Sequence, residues 1–166
     1  MKEKMVERNV HMEVILSVIA IVLSVISGGF ALYTFYWTAR RDRRQATLEA
    51  YNKLQRQALD HLNYYSTEQI YEITDNPHSE EYKKISTYIA RIEHFCVGVN
   101  QKIYDPETVY ALSEGYLDGA IKKRIEPMIQ CKNSYGNRDY YENIHAVFDW
   151  MAKRKEKYAG KQTKRN

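Results

Sequence analysis

Helix breakers are nearly missing from this chain. Its 166 residues include 3 prolines and 7 glycines, and no Gly/Ser-rich or Pro-rich linker interrupts them. This scarcity excludes a string of domains on flexible tethers. Combined with abundant Lys, Glu, Leu, Ile and Tyr, it points to helix. Sustained period-two alternation is also lacking, so strands are not expected. The 2 cysteines, Cys96 and Cys131, have no CxxC partner, which leaves metal and redox motifs unsupported. Both sit among apolar helix positions and read as small buried hydrophobes, reduced as in a cytoplasmic domain.

Catalytic signatures are missing as well. The 5 histidines, His11, His61, His78, His94 and His145, form no HExxH, HxH or Cys/His cluster. His145 stands near Asp149 at helical spacing, but fewer than three convergent ligands make a poor metal site. Phosphate-binding and nucleophile-elbow glycine motifs do not occur. The expectation is a protein that is not an enzyme and uses no cofactor or metal.

What the chain does have is one long apolar run. Residues 14–37, VILSVIAIVLSVISGGFALYTFYW, contain no charged side chain. A helix of that length spans about 36 Å, more than the roughly 30 Å hydrocarbon core of a bilayer. A domain this small cannot surround such a helix on every side. A cleaved signal peptide fits less well, because its apolar core is shorter and no small-x-small site precedes the arginines. Gly28 and Gly29, with Ser24, make only a partial small-residue face.

Orientation follows from the basic residues. Arg40, Arg41, Arg43 and Arg44 crowd the C-terminal flank, whereas Lys2, Lys4 and Arg8 are matched by Glu3, Glu7 and Glu13. The positive-inside rule then places the N-terminus outside and the following domain in the cytoplasm. Tyr33, Tyr36 and Trp37, with Phe35, fall at the inner interface, where amphipathic rings prefer to lie. The expected division is an outer tail over 1–13, a single-pass anchor over 14–37, a helical domain over 38–152 and a basic tail over 153–166.

The domain reads as a bundle of four or five helices, all-α. No stop follows Trp37, so the membrane helix is expected to run on as a rod, burying Leu48, Tyr51, Leu54 or Gln55, Ala58, Leu62 and Tyr65. A short helix starts near Ser66-Thr67 and breaks at Asp75-Asn76-Pro77. Ser79 or Asn76 caps the next, whose inward face is Tyr82, Ile85, Tyr88/Ile89, Ile92, Phe95/Cys96 and Val99. Asp105-Pro106-Glu107 is a helix start; that helix carries Val109 and Leu112 and stops near Gly115. Residues 117–133 bury Ile121, Ile125 and Ile129, with a kink near Pro127. After an NSYGN turn, the last helix covers 139–158, buries Tyr141, Ile144, Val147/Phe148 and Met151, and ends at Gly160.

Charge is partitioned. Residues 45–152 hold 11 Lys/Arg and 16 Asp/Glu, so the domain is acidic while the 40–44 cluster and the 153–166 tail are basic. A nucleic-acid binder would carry its cations on a folded face, so nucleic acid is not the expected partner. The arginine cluster suits anionic lipid headgroups at the inner face, at about 1 kcal/mol per basic residue. The tail suits either lipid contact or a solvated end. One buried-edge polar residue stands out: Glu93, next to His94, borders the apolar stripe and needs hydrogen bonds or a basic partner such as Arg44, Arg56 or Arg124.

Three stretches, RRQATLEAYNKLQ, YIARIEHFCVGVNQKIYDPETVYALSEGYL and IEPMIQCKN, resemble a bacterial family known only as a domain of unknown function. Within the second, this chain has Ala90-Arg91 where the family tends to have Leu-Asn. The resemblance implies a single N-terminal membrane helix before a helical domain, over nearly the whole chain, and brings no catalytic residues. The leading functional expectation is a membrane-anchored module that binds a protein partner or a second copy of itself. The alternative is a small membrane-acting regulatory or effector protein, in stress or phage defence; the third is an enzyme using Glu93, His94 or Tyr104.

Overall fold

The computed structural model describes the backbone of residues 2–113, 115–134 and 140–163, and the side chains of 16–113, 115–134 and 140–157. Among the described residues there are helices and no strands. The chain divides into two compact units, Met1–Asp42 and Arg43–Asn166.

The first unit is a single stretch of helix α1 (Lys2–Leu54), which carries the apolar run and continues unbroken past it. Its large apolar side chains are exposed, including Val25 at 69%, Phe30 at 71% and Leu32 at 73%. No part of its most apolar window is buried, so this is not the core helix of a globular domain. The hydroxyl of Thr34 donates to the Phe30 carbonyl at 2.8 Å, so a polar group inside the apolar stretch is satisfied within its own helix.

The second unit opens with the end of α1. One π-helical turn, Gln55–Leu59, and a short α turn, Asp60–Leu62, complete that helix. Then come α2 (Thr67–Thr74), α3 (Glu80–Asn100) and α4 (Pro106–Ser113). A second π turn, Leu117–Ile121, leads into α5 (Lys122–Ser134), and α6 (Glu142–Thr163) ends the described chain. Helix α2 packs on α5, α3 packs on α6 and on the first π turn, and the second π turn packs on α6. The core between them draws on every element, from Tyr51 and Leu54 through Ile85, Ile89, Ile92 and Ile125 to Phe148 and Met151.

Local chemistry sets these boundaries. Ser66 accepts from the Gln69 amide while the Gln69 side chain accepts from the Ser66 amide, a complete capping box. Of the two residues expected to start α3, Ser79 does so, accepting from the Tyr82 amide at 3.1 Å. Asp105 Oδ2 accepts from both the amide and the hydroxyl of Thr108, and Pro106 fills the first position of α4. Gly115, at φ +82°, follows the end of α4 in a conformation that glycine adopts at little cost.

Some expectations are corrected. Leu48 is 41% exposed; Thr47, not Leu48, is the buried residue at this level of α1. Thr47 donates to the Arg43 carbonyl and accepts from the Asp105 amide at 2.8 Å, so its hydroxyl is fully used inside. The last helix starts at Glu142 and runs past Gly160 to Thr163, because a glycine in a helix lowers propensity without forcing a stop. Helix therefore covers most of the supposed basic tail. Arg154 already belongs to the bundle: it pairs with Glu107, and its guanidinium lies 5.4 Å from the Tyr110 ring centre and 5.5 Å from that of Trp150. Pro127 sits inside α5, which continues to Ser134. The last three residues of the NSYGN turn, with residues 138 and 139, lie outside the described residues.

Candidate functional site

Three features bring polar or apolar groups together in a way that packing alone does not require. The first is the end of the apolar run with the arginines that follow it. Tyr33, Tyr36 and Trp37 are exposed at 62%, 67% and 61%, and Arg40, Arg41, Arg43 and Arg44 are all exposed. Arg41 Nε lies 3.6 Å from Asp42, and Arg44 Nε lies 3.8 Å from Asp105. The cluster falls across the boundary between the two units, with Arg40 and Arg41 in the first and Arg43 and Arg44 in the second.

The second is Glu93, which is half-buried. Its Oε1 accepts from the Asn143 amide at 3.3 Å and from Asn143 Nδ2 at 2.7 Å; its Oε2 accepts from the Ile144 amide at 2.9 Å. Those amides belong to the second and third residues of α6, so a carboxylate on α3 caps a helix far away in sequence. The positive end of the α6 dipole adds to the attraction. None of the three arginines considered as its partner is used: Arg44 faces Asp105, Arg56 Nε donates to the Asn52 carbonyl, and Arg124 Nη1 donates to Asn63 Oδ1. His94 takes no part in this cap and is exposed. Glu93 and His94 thus do not form one site.

The third feature is a pair of clefts in the second unit. One, of about 300 Å³, lies between the end of α1, the first π turn and α3; it is lined by Ala50, Lys53, Leu54, Gln57, Arg91, His94, Phe95 and Tyr104. Arg91 Nη1 donates to the Gln57 carbonyl at 2.6 Å across it. The cleft brings His94 and Tyr104 together but leaves Glu93 out. The other, of about 570 Å³, lies between the end of the first helix, residues 51–63, and the 112–116 segment at the end of α4, and includes Tyr51, Asp60, Asn63, Ser113 and Tyr116. There Tyr116 donates its hydroxyl to Asn63 Oδ1 at 2.6 Å. Burial, aided by the neighbouring Tyr116, pushes the Tyr51 phenol from 10.0 up to about 12. Burial, aided by the charge of Glu93, also pushes the Cys96 thiol well above its ordinary value, so this sulfur stays protonated and unreactive. No group of three or more His, Cys, Asp or Glu side chains among the described residues is arranged to hold a metal ion.

Residues 21–154 match the model of the family described as a domain of unknown function (DUF4760). The chain belongs to this family. The DUF4760 match takes in the later part of the apolar run, the arginine cluster, Glu93, both clefts and the start of α6. No curated protein and no solved structure matches the chain.

Several of these residues were not legible beforehand. Arg91, Lys53 and Gln57 look like solvated helix positions and are exposed; the bond from Arg91 on α3 to the Gln57 carbonyl in the first π turn has no local sequence signal. Gly98 is another. A Cβ there would lie 2.6 Å from Tyr104 Cδ2, so the missing side chain is what lets Tyr104 fold back and stack on Phe95 at 5.3 Å.

Proposed function

We propose that this protein is a single-pass membrane-anchored helical module. Its apolar helix is retained as an anchor, its N-terminus lies outside, and its bundle sits at the cytoplasmic face, binding a protein partner or a second copy of itself. The observation that carries the reading is the charge-free 14–37 stretch, whose described large side chains are unburied, followed at once by four arginines. Retention of the helix is supported by the family match, which begins at residue 21 and so includes apolar sequence that a cleaved leader would remove. Orientation is supported by the density of arginines on the C-terminal flank and by the ring band of Tyr33, Tyr36 and Trp37 beside them. Anionic headgroups at the inner face are the expected contact of that cluster.

Two fusions test the anchor and its direction. Green fluorescent protein placed after Asn166 should fluoresce at the membrane, and alkaline phosphatase at the same place should be inactive. Active phosphatase, or fluorescence in the soluble fraction, defeats the reading. The interaction is tested by cross-linking in native membranes: covalent dimers or a discrete heteromeric band are expected, and a solely monomeric product removes this part of the proposal.

A further inference from the structure

The smaller cleft differs in chemistry from the domain around it. Residues 45–152 carry more acids than bases, yet the cleft is lined by Lys53, Arg91 and His94 and by no carboxylate. Lys53 and His94 form no ion pair among the described residues. Arg91 is held in place by its bond to the Gln57 carbonyl, which uses one of five guanidinium N–H donors and leaves a rigid fork for a ligand. Behind these cations the walls are apolar: Leu54 and Phe95, both nearly fully buried, and the ring of Tyr104 stacked on Phe95. A concave, mostly apolar site with a few converging polar groups is the ordinary form of a small-molecule site, and its volume is at the small end of that range.

We propose that this cleft binds a small phosphate monoester, with the phosphate among Lys53, Arg91 and His94 and a short alkyl or aryl body against Leu54, Phe95 and Tyr104. Two cations, Lys53 and Arg91, with the His94 imidazole in the same cleft match a dianion with three oxygens better than a carboxylate with one charge and two oxygens. The apolar floor adds affinity that inorganic phosphate lacks. A soluble phosphate ester and the headgroup of an anionic phospholipid share this chemistry. The assignment does not depend on the membrane orientation proposed above.

The test uses the full chain in phosphatidylcholine nanodiscs, titrated with phenyl phosphate by calorimetry. Saturable one-to-one binding is expected, with inorganic phosphate at least tenfold weaker. The Lys53→Gln/Arg91→Gln double variant should bind at least tenfold more weakly than wild type while still unfolding cooperatively within a few degrees of it, because both side chains are exposed and only the Arg91–Gln57 bond is lost. Lys83→Gln/Lys84→Gln, on exposed positions outside the cleft, should bind as wild type does. Absence of saturable binding overturns the assignment. So does equal binding of inorganic phosphate, undiminished binding by the cleft variant, or an equal loss in the control variant. Nanodiscs in which part of the lipid is phosphatidic acid separate the sources: suppressed phenyl phosphate binding supports the site with a lipid headgroup as occupant, and unchanged binding supports it with a soluble ester.

Discussion

Glu93 borders the apolar stripe of α3, and desolvation alone would make a carboxylate there costly. Three N–H donors on Asn143 and Ile144 remove that cost and fix the start of α6 at the same time. Glu93→Ala should therefore destabilise the domain by about 1–3 kcal/mol, the usual penalty for stranding buried donors at a helix start. Thermal or denaturant unfolding followed by circular dichroism measures it, and an unchanged midpoint would deny the cap its role. That Glu93 needed partners could be read from its position; that they lie on α6 could not, because no local pattern encodes a contact between residues 50 apart. Gly98 makes the same point. Gly98→Ala places a methyl against the Tyr104 ring and should cost about 1–3 kcal/mol by overpacking. Should that variant melt with wild type, the tight approach is not a constraint. Tyr51 carries a pH signature. Its phenol is raised from 10.0 to about 12 in the fold, so the folded state favours the neutral form. Its contribution is complete below pH 10 and lost as the pH rises towards 12. Tyr51→Phe should thus lose less stability than wild type between pH 8 and 11 in matched urea titrations; parallel losses would reject the assignment.

At the scale of elements, starts are more legible than phases or ends. Ser66, Ser79 and Asp105 announce their helices because each supplies an acceptor to amides within its own first turn. Gly160, by contrast, reads as a stop and is none, since helical glycine is merely unfavourable. The π turns at Gln55–Leu59 and Leu117–Ile121 leave no sequence signature of their own, yet the first contributes Gln55 to the larger cleft and Gln57 to the smaller. Ala58, Leu59 and Leu62 are all buried, at positions that a regular helical face continuing from Tyr51 and Leu54 also covers. The apolar part of α1 needs no such subtlety, because its exposure is uniform. Replacing Leu23 and Val25 by arginine should add about 5–7 kcal/mol to the free energy of insertion, enough to offset its apolar residues. The double variant should leave the membrane pellet in fractionation; undiminished pelleting would mean that something other than this helix holds the chain there.

At the scale of the whole molecule, the two units differ in what they ask of their surroundings. Among the described residues, the buried apolar core lies between Tyr51 and Met151, and none of it belongs to the first unit. The core of Arg43–Asn166 is contiguous, its helices are capped from within, and residues 43–166 hold 20 Lys/Arg against 17 Asp/Glu, a net charge away from zero that favours solubility. A chain begun at Thr38 should consequently express as a soluble, fully helical protein with one cooperative unfolding transition. Its midpoint should fall within a few degrees of that of the same domain in the full chain, since no packing is removed. Differential scanning calorimetry of both proteins makes the comparison, the full chain in neutral nanodiscs. Aggregation of the shortened chain, or loss of a cooperative transition, would show that the apolar helix is needed for folding and is more than an anchor. Retained cooperativity would separate the two tasks, leaving the bundle to be studied in solution for the contacts and ligands proposed for it.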